Sequence, residues 1–115
     1  MGLDITITIK NTSHDFRKRN WLMPFVENAI CHEVESCEDY ELSKETMRDL
    51  LDRIDKVLAD HDLAEELLPT QDGIFFGETK YDEWYFKNLQ DAKDQLEDDV
   101  KSMDDDETAT FWSWW

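Results

Sequence analysis

The chain has 115 residues, with 12 Lys or Arg against 29 Asp or Glu, so its formal net charge is −17 at pH 7. The length predicts a single domain over residues 1–115, with residues 104–110 as a candidate flexible acidic connection. A chain this acidic lacks the cationic face needed to bind nucleic acid or an anionic membrane directly, so both classes of partner are excluded. The sequence has neither an apolar run of bilayer length nor a secretion signal at its N-terminus, which predicts a protein of the cytoplasm.

The N-terminal part of the chain predicts a strand followed by a helix. Isoleucine alternates with threonine over residues 4–10, and this period of two in β-branched residues is typical of a half-buried strand. Residues 11–13 predict a turn. Apolar residues then recur at helical spacing over residues 15–32. Pro24 either kinks this helix or lies in its first turn, where proline is tolerated.

The middle of the chain predicts a second helix. A short extended piece is expected over residues 40–42, and Ser43 has the character of an N-cap. Apolar residues follow as one stripe at helical spacing over residues 47–58. A short helical turn is predicted over residues 63–68, and Pro69 ends it because the residue before a proline disfavours helical geometry.

The C-terminal part predicts a loop, a long helix and a strand. Gly73 and Gly77 mark the loop over residues 69–79, since glycine supplies backbone angles that other residues resist. Apolar residues spaced by three and four predict a helix over roughly residues 81–103. The aromatic, β-prone residues 108–115 predict a strand that pairs with the first one. The fold class is therefore α+β, with about three helices packed on a small antiparallel sheet formed by the N- and C-terminal strands.

Three parts of the sequence, the start, a central motif and the end, form a recognisable pattern. The residues that carry it are Met1-Gly2-Leu3-Asp4, Leu67-Leu68-Pro69-Thr70, Gly73, Phe75-Phe76-Gly77, Tyr81-Asp82, Tyr85 and residues 111–115. The pattern resembles a family of small proteins encoded by tailed phages and prophages, although residues 16–21 match that family only loosely. The resemblance implies a phage origin and a setting in the host cytoplasm. It transfers no activity, because the family has no settled function.

The acidic residues are concentrated near the C-terminus, where residues 91–107 hold nine acids and two bases, a net charge of −7. The nine acids are Asp91, Asp94, Glu97, Asp98, Asp99, Asp104, Asp105, Asp106 and Glu107. Residues three or four apart on a helix lie about 5–6 Å from each other, so Asp91, Asp94 and Asp98 are expected to form a row. Phosphates along one DNA strand have a similar spacing, and such a row can imitate them. The alternative is a solvated helix face that keeps a small protein soluble.

Two further groups of residues are candidates for contact with a partner. Trp84, Trp112 and Trp114 are candidate anchors because exposed aromatic rings beside acids are typical of interface hot spots, whereas burial in the core is the alternative. The three consecutive basic residues 17–19 predict a cluster of ion pairs within the molecule. Their alternative role is to hold a phosphate or an acidic partner.

Patterns of metal or catalytic chemistry are missing from the sequence. His14, His32 and His61 are scattered, and Cys31 and Cys37 lack a second pair at zinc-ligand spacing. The acidic residues lack the glycine and the regular spacing of a calcium loop. The two cysteines are expected to be free thiols. The sequence therefore predicts no enzyme, no metal and no cofactor.

These observations favour a phage-encoded acidic interaction protein that binds and inhibits a host protein acting on nucleic acid. The expected partner has a basic nucleic-acid-binding surface and serves defence, as the targets of anti-CRISPR and anti-restriction proteins do, or transcription. DNA mimicry is the candidate mechanism. One alternative is an accessory or structural phage protein without an inhibitory role. Another is a small ligand-binding domain that uses residues 69–81 as the rim of a pocket. The oligomeric state is left open, with a homodimer among the alternatives.

Overall fold

A computed structural model gives the fold of residues 2–71 and 80–115. Within these ranges the strands are β1 (Asp4–Ile9), β2 (Thr12–Asp15), β3 (Asp39–Ser43) and β4 (Thr108–Trp114). The helices are α1 (Leu22–Ile30), α2 (Lys44–Ala59), α3 (Ala64–Leu67) and α4 (Glu83–Ser102). A 3₁₀ turn, His61–Leu63, joins α2 to α3.

The four strands lie in one antiparallel sheet, in the order β2-β1-β4-β3. The first and last strands form its central pair, in a register that places Ile7 opposite Phe111. Alternate side chains of the two strands are buried, as the period of two in β1 requires. The expected α+β class, with a sheet that joins the N- and C-terminal strands, is confirmed.

The helices cover one face of this sheet and share a single hydrophobic core with it. Each long helix contributes one apolar stripe to that core. The buried residues of α2 are Met47, Leu50, Ile54 and Val57, and those of α4 are Tyr85, Leu89, Ala92, Leu96 and Val100. The opposite sheet face carries the alternate side chains of the central strands, namely Asp4, Thr6, Thr8, Thr108, Thr110, Trp112 and Trp114. Burial of the apolar stripes is the main force that holds the two layers together.

The sheet is wider, and the helices more numerous, than the sequence predicted. Residues 12–15 form the edge strand β2, where a turn was expected over residues 11–13. An edge strand needs no apolar alternation, because much of it faces solvent, and its sequence therefore gives no strand pattern. The expected extended piece before α2 is present as β3. The helical turn expected over residues 63–68 is present as the 3₁₀ turn and α3, which raises the number of helices in the described ranges to four.

The first helix begins at Leu22, later than the helical spacing predicted. The chain before it stays extended beside β1, where the N–H of Phe16 donates to the carbonyl of Ile5 at 2.7 Å. Lys18 then adopts a left-handed φ of 58°, which ends the extended run. Pro24 is the third residue of α1 and lies in its first turn, which was one of the two expected positions.

Both long helices begin with a side-chain cap. The hydroxyl of Ser43 accepts a hydrogen bond from the N–H of Thr46 at 3.1 Å, so the expected N-cap of α2 is confirmed. Asp82 plays the same part for α4, because its carboxylate accepts from the N–H of Tyr85 at 3.2 Å. The two caps therefore favour helix starts at Lys44 and Glu83.

The predicted loop over residues 69–79 lies largely outside the described residues. Gly73 and Gly77 fall there, and so do Phe75 and Phe76 of the central motif. The flanking residues Leu68 and Tyr85 are described, and the hydroxyl of Tyr85 donates to the carbonyl of Leu68 at 2.7 Å.

Candidate acidic interaction surface

Helix α4 carries most of the predicted interaction residues, and its packing decides which of them reach solvent. Its apolar stripe faces the core, so its charged residues lie on the flanks and on the outer side. On the flank towards α2, Lys93 pairs with Asp55 at 2.7 Å. On the flank towards β2, the imidazole of His14 contacts the carboxylate of Asp99 at 2.5 Å.

Five of the nine predicted acids are paired with cationic side chains or histidine within the molecule. Their partners and distances are Asp91 with Arg19 at 3.5 Å, Glu97 with Lys101 at 2.9 Å, Asp99 with His14 at 2.5 Å, Asp105 with Lys44 at 3.7 Å, and Glu107 with Lys10 at 3.7 Å. Exposed pairs of this kind each contribute little to stability. These ion pairs nevertheless engage five carboxylates that the sequence predicted would contact a partner.

The other four acids, Asp94, Asp98, Asp104 and Asp106, are exposed. Among the described residues, no Lys, Arg or His nitrogen lies within 4.0 Å of their carboxylates. We call these four residues the unpaired acids. Asp94 accepts a hydrogen bond from the neutral amide of Gln90 at 3.0 Å, which leaves its charge uncompensated.

The expected row of Asp91, Asp94 and Asp98 is therefore only partly available. Asp91 lies at the edge of the row, accepts from the amide of Gln95 at 2.9 Å and is close to Arg19. Asp94 and Asp98 lie one turn apart on the outer side of α4, at the spacing that a row on a helix requires. The two form the centre of the candidate surface.

The turn between α4 and β4 extends the acidic surface beyond the helix. The side chain of Glu107 accepts a hydrogen bond from the N–H of Asp104 at 2.7 Å, and the N–H of Glu107 donates to the carbonyl of Asp104 at 3.0 Å. The first of these bonds is the main reason that the pKa of Glu107 is lowered, with help from nearby Lys10. The turn holds Asp104 and Asp106 on the solvent side of the chain as it leaves α4.

The three candidate tryptophans lie on two different surfaces. Trp84 is 71% exposed at the N-terminal end of α4, where the ammonium of Lys87 lies 5.3 Å from the centre of its ring. Trp112 and Trp114 are half-buried on the sheet face opposite the helices. Trp112 has Thr6 of β1 and Asp39 of β3 as its cross-strand neighbours. A single flat partner surface on α4 therefore reaches Trp84 but not the other two rings.

Of the three consecutive basic residues 17–19, two lie close to carboxylates of the described chain and one does not. Arg17 lies 3.7 Å from Asp4 of β1, and Arg19 lies 3.5 Å from Asp91 of α4. These two form intramolecular ion pairs, as the sequence predicted. Lys18 is exposed and has no carboxylate within 4.0 Å among the described residues.

A cavity of about 350 Å³ lies where these basic residues meet the first turns of α4. Its described lining includes Lys18, Arg19, Trp21, Lys80, Trp84 and Asn88. The sequence shows the basic residues, the predicted loop and Trp84 as separate features. Chain folding brings the basic residues together with Trp84 and with Thr70 and Lys80, which lie on either side of the undescribed part of the loop, and no spacing along the sequence marks that contact.

The described residues offer no metal centre and no membrane helix. Within residues 2–71 and 80–115, no group of three or more His, Cys, Asp or Glu is placed to hold a metal ion. Each helix in the same ranges is too short or too polar to span a bilayer. Cys31 and Cys37 are free and exposed.

Comparison with known proteins adds no relative from which a role could be transferred. No family model matches the chain, and neither a curated protein nor a solved structure matches it. The candidate surface must therefore be judged from its own geometry and charge.

Proposed function

We propose that this chain is an acidic interaction protein of phage origin that binds and inhibits a host protein acting on nucleic acid. The observation that carries the proposal is a pair of exposed carboxylates, Asp94 and Asp98, one turn apart on the outer side of α4, with no cationic partner among the described residues. The resemblance of the sequence to phage proteins supports the phage origin.

Charge complementarity supports a basic partner. The chain carries a net charge of −17, which attracts a basic surface over distances up to about the Debye length and speeds encounter with it. The unpaired acids already lack partners of their own, so a cationic groove can neutralise them without breaking an intramolecular ion pair. A groove that binds DNA or RNA phosphates presents such cations, and the proposed mechanism is occupation of that groove by the outer side of α4.

One aromatic anchor lies on the same helix as the central acids. Trp84 and Asp98 are separated by 14 residues of α4, or roughly 21 Å along the helix axis at 1.5 Å per residue. An exposed ring at one end and carboxylates at the other end fit an interface with an aromatic anchor and a polar, charged rim. Trp112 and Trp114 lie on the other face and are not part of the proposed contact.

The test is a pull-down from bacterial lysate with three baits, analysed by quantitative mass spectrometry. The baits are the unmodified chain, the triple variant Asp94→Asn/Asp98→Asn/Asp106→Asn, and a control triple variant, Asp62→Asn/Glu65→Gln/Glu66→Gln, with the same change in net charge. All six substituted residues are exposed, so the fold should be retained. We expect a nucleic-acid-binding protein on the unmodified chain and on the control, released by salt or by duplex DNA.

Loss of that partner from the first triple variant alone would support the proposed surface. Equal recovery on all three baits would contradict it. Recovery of phage structural proteins alone would favour the accessory role, in which the charge serves only solubility.

A further inference from the structure

The cavity at the N-terminal end of α4 has more cationic than acidic side chains in its described lining, although the molecule as a whole is strongly acidic. Three of the 12 Lys and Arg side chains line it, namely Lys18, Arg19 and Lys80. Asp82 is the acid in its described lining, and its carboxylate is engaged as the N-cap of α4. In the described parts of the chain, neither Lys18 nor Lys80 has a carboxylate within 4.0 Å. The cavity therefore presents two lysine charges that no carboxylate of the described residues neutralises.

Two buried hydrogen-bond donors in the lining have no acceptor within residues 2–71 and 80–115. Trp21 is 2% exposed, and its indole N–H makes no hydrogen bond to any of these residues. The Nε–H of Arg19 is also buried without a partner, although another nitrogen of the same guanidinium donates to the carbonyl of Arg17 at 2.7 Å. Buried donors are nearly always satisfied in folded proteins, so a pair of them beside one cavity indicates an acceptor that binds there.

The walls of the cavity add aromatic surface and the end of a helix. Trp84 and Tyr85 of α4 line it together with Trp21, and the ring of Trp84 is largely exposed. The N-terminus of α4 also points its partial positive charge towards this end of the molecule. The volume of about 350 Å³ lies within the range of sites that hold small organic molecules.

We propose that this cavity binds a small phosphorylated ligand with a flat ring, of the nucleoside monophosphate class. Lys18, Arg19 and Lys80 neutralise the phosphate, and the buried donors of Arg19 and Trp21 supply hydrogen bonds to the bound molecule. The base stacks on the exposed ring of Trp84. None of the unpaired acids belongs to the described lining, so this site does not rest on the proposed function, although the two surfaces share Trp84.

Adenosine monophosphate is the first probe, with adenosine and inorganic phosphate as the matched partial ligands. Calorimetry measures the affinity of the full-length chain for each of the three. Proton–nitrogen correlation spectra follow the indole N–H of Trp21, which a Trp21→Phe variant assigns. We expect adenosine monophosphate to shift the Trp21 signal and to bind at least about tenfold more tightly than either partial ligand.

Two double variants test the cationic wall. Lys18→Gln/Lys80→Gln removes the two unpaired lysines and should weaken binding of adenosine monophosphate by about tenfold or more. Lys56→Gln/Lys101→Gln makes the same change in net charge at exposed lysines outside the cavity, and its affinity should stay close to that of the unmodified chain. Trp84→Ala should weaken binding of adenosine monophosphate and leave that of phosphate unchanged.

Three results would overturn the proposal. The first is the lack of any calorimetric signal or Trp21 shift with adenosine monophosphate up to about 1 mM, the range of weak small-ligand binding. The second is an equal loss of affinity in both double variants, which would reflect overall charge rather than this cavity. The third is equal affinity for adenosine monophosphate and inorganic phosphate, which would leave the aromatic wall without a role.

Discussion

At the scale of single residues, Tyr85 shows how this fold keeps a polar atom inside its core. Its side chain is buried on α4, and its hydroxyl donates to the carbonyl of Leu68, also a buried residue, at 2.7 Å. Burial is the main cause that raises the pKa of this hydroxyl above its ordinary range, and the neighbouring Tyr81 adds to the effect. The phenol therefore stays protonated and remains a donor. The bond ties the start of α4 to the chain that follows α3.

We expect Tyr85→Phe to lower the free energy of unfolding by about 1–2 kcal/mol, because it leaves a buried carbonyl without its donor. Urea denaturation followed by circular dichroism measures the change. Tyr81→Phe is the matched control, since Tyr81 is exposed and its hydroxyl accepts from the N–H of Thr70 at 3.2 Å. The control should change stability by less than about 0.5 kcal/mol. Equal losses in the free energy of unfolding would show that the hydrogen bond to Leu68 stabilises the fold no more than the exposed bond of Tyr81 does.

At the scale of elements, the turn between α4 and β4 positions the last strand of the sheet. The side chain of Glu107 accepts from the N–H of Asp104, and the ammonium of Lys44 donates to the carbonyl of Met103 at 2.5 Å. Lys10, which follows β1, reaches Glu107 at 3.7 Å and the carbonyl of Ser102 at 2.9 Å. Two lysines from distant parts of the chain thus neutralise the C-terminal end of α4, where the helix dipole favours cations.

The lowered pKa of Glu107 predicts how this turn responds to acid. A carboxyl group whose pKa is lower in the folded than in the unfolded state stabilises the fold at pH values above its unfolded-state pKa. This stabilisation is lost as the pH falls through the lowered pKa of the folded state. Glu107→Gln removes the charge and keeps an acceptor for the N–H of Asp104. We expect this variant to have a lower Tm than the unmodified chain at neutral pH, with a difference that disappears in acid.

Thermal melts from neutral pH down to strongly acidic pH measure that difference. Asp106→Asn is the control, because it removes one acidic charge at an exposed residue that has no cationic partner in the described chain. Its Tm at neutral pH should be no lower than that of the unmodified chain. If the difference in Tm between Glu107→Gln and the unmodified chain did not change with pH, the charge of Glu107 would not be what stabilises the turn.

At the scale of the whole molecule, repulsion among carboxylates opposes the compact state. Nine of the 12 Lys and Arg side chains, all within the described ranges, lie within 4.0 Å of a carboxylate. The excess acids have no counterpart, and a net charge of −17 on 115 residues destabilises the fold through its own field. Screening by salt weakens that field more than it weakens contacts at hydrogen-bond distance.

We therefore expect the Tm to rise when the salt concentration increases from about 0.01 to about 1 M, as the Debye length shrinks from roughly 30 to roughly 3 Å. The variant Asp94→Asn/Asp98→Asn/Asp106→Asn should show a smaller rise, because part of the repulsion is already gone. Scanning calorimetry at each salt concentration provides the values. A Tm that falls with salt would show that the ion pairs outweigh the repulsion.

The sequence predicted those elements whose periodicity spans several turns or alternations. The isoleucines of β1, the apolar stripes of α2 and α4 and the aromatic strand β4 were all visible as patterns. The helical spacing over residues 15–32 predicts a helix that includes Phe16 and Trp21. In the structure Phe16 is buried from an extended segment, and Trp21 is buried from the position before the helix. Short apolar runs fit both periods, so spacing alone could not separate these cases.

The sequence predicted which acids belong to the candidate surface, but not which of them are engaged in contacts within the molecule. The sequence located nine acids, yet it could not show that Asp99 contacts His14, which lies 85 residues away in the chain. Arg19 and Asp91 are likewise distant in sequence and adjacent in space. Which carboxylates remain for a partner depends on these long-range contacts, and a pattern along one helix does not contain them.

The central pairing of β1 with β4 joins strands from opposite ends of the described chain. Ile5 lies opposite Ser113, so the two middle strands must close a loop of more than a hundred residues before either is fully paired. Folds dominated by such distant contacts reach their native state slowly, in milliseconds to seconds. Until β4 arrives, β1 has β2 beside it and an open edge on the other side, where an unpaired strand can recruit another chain. We therefore expect aggregation to begin most readily from chains in which β4 has not yet paired with β1.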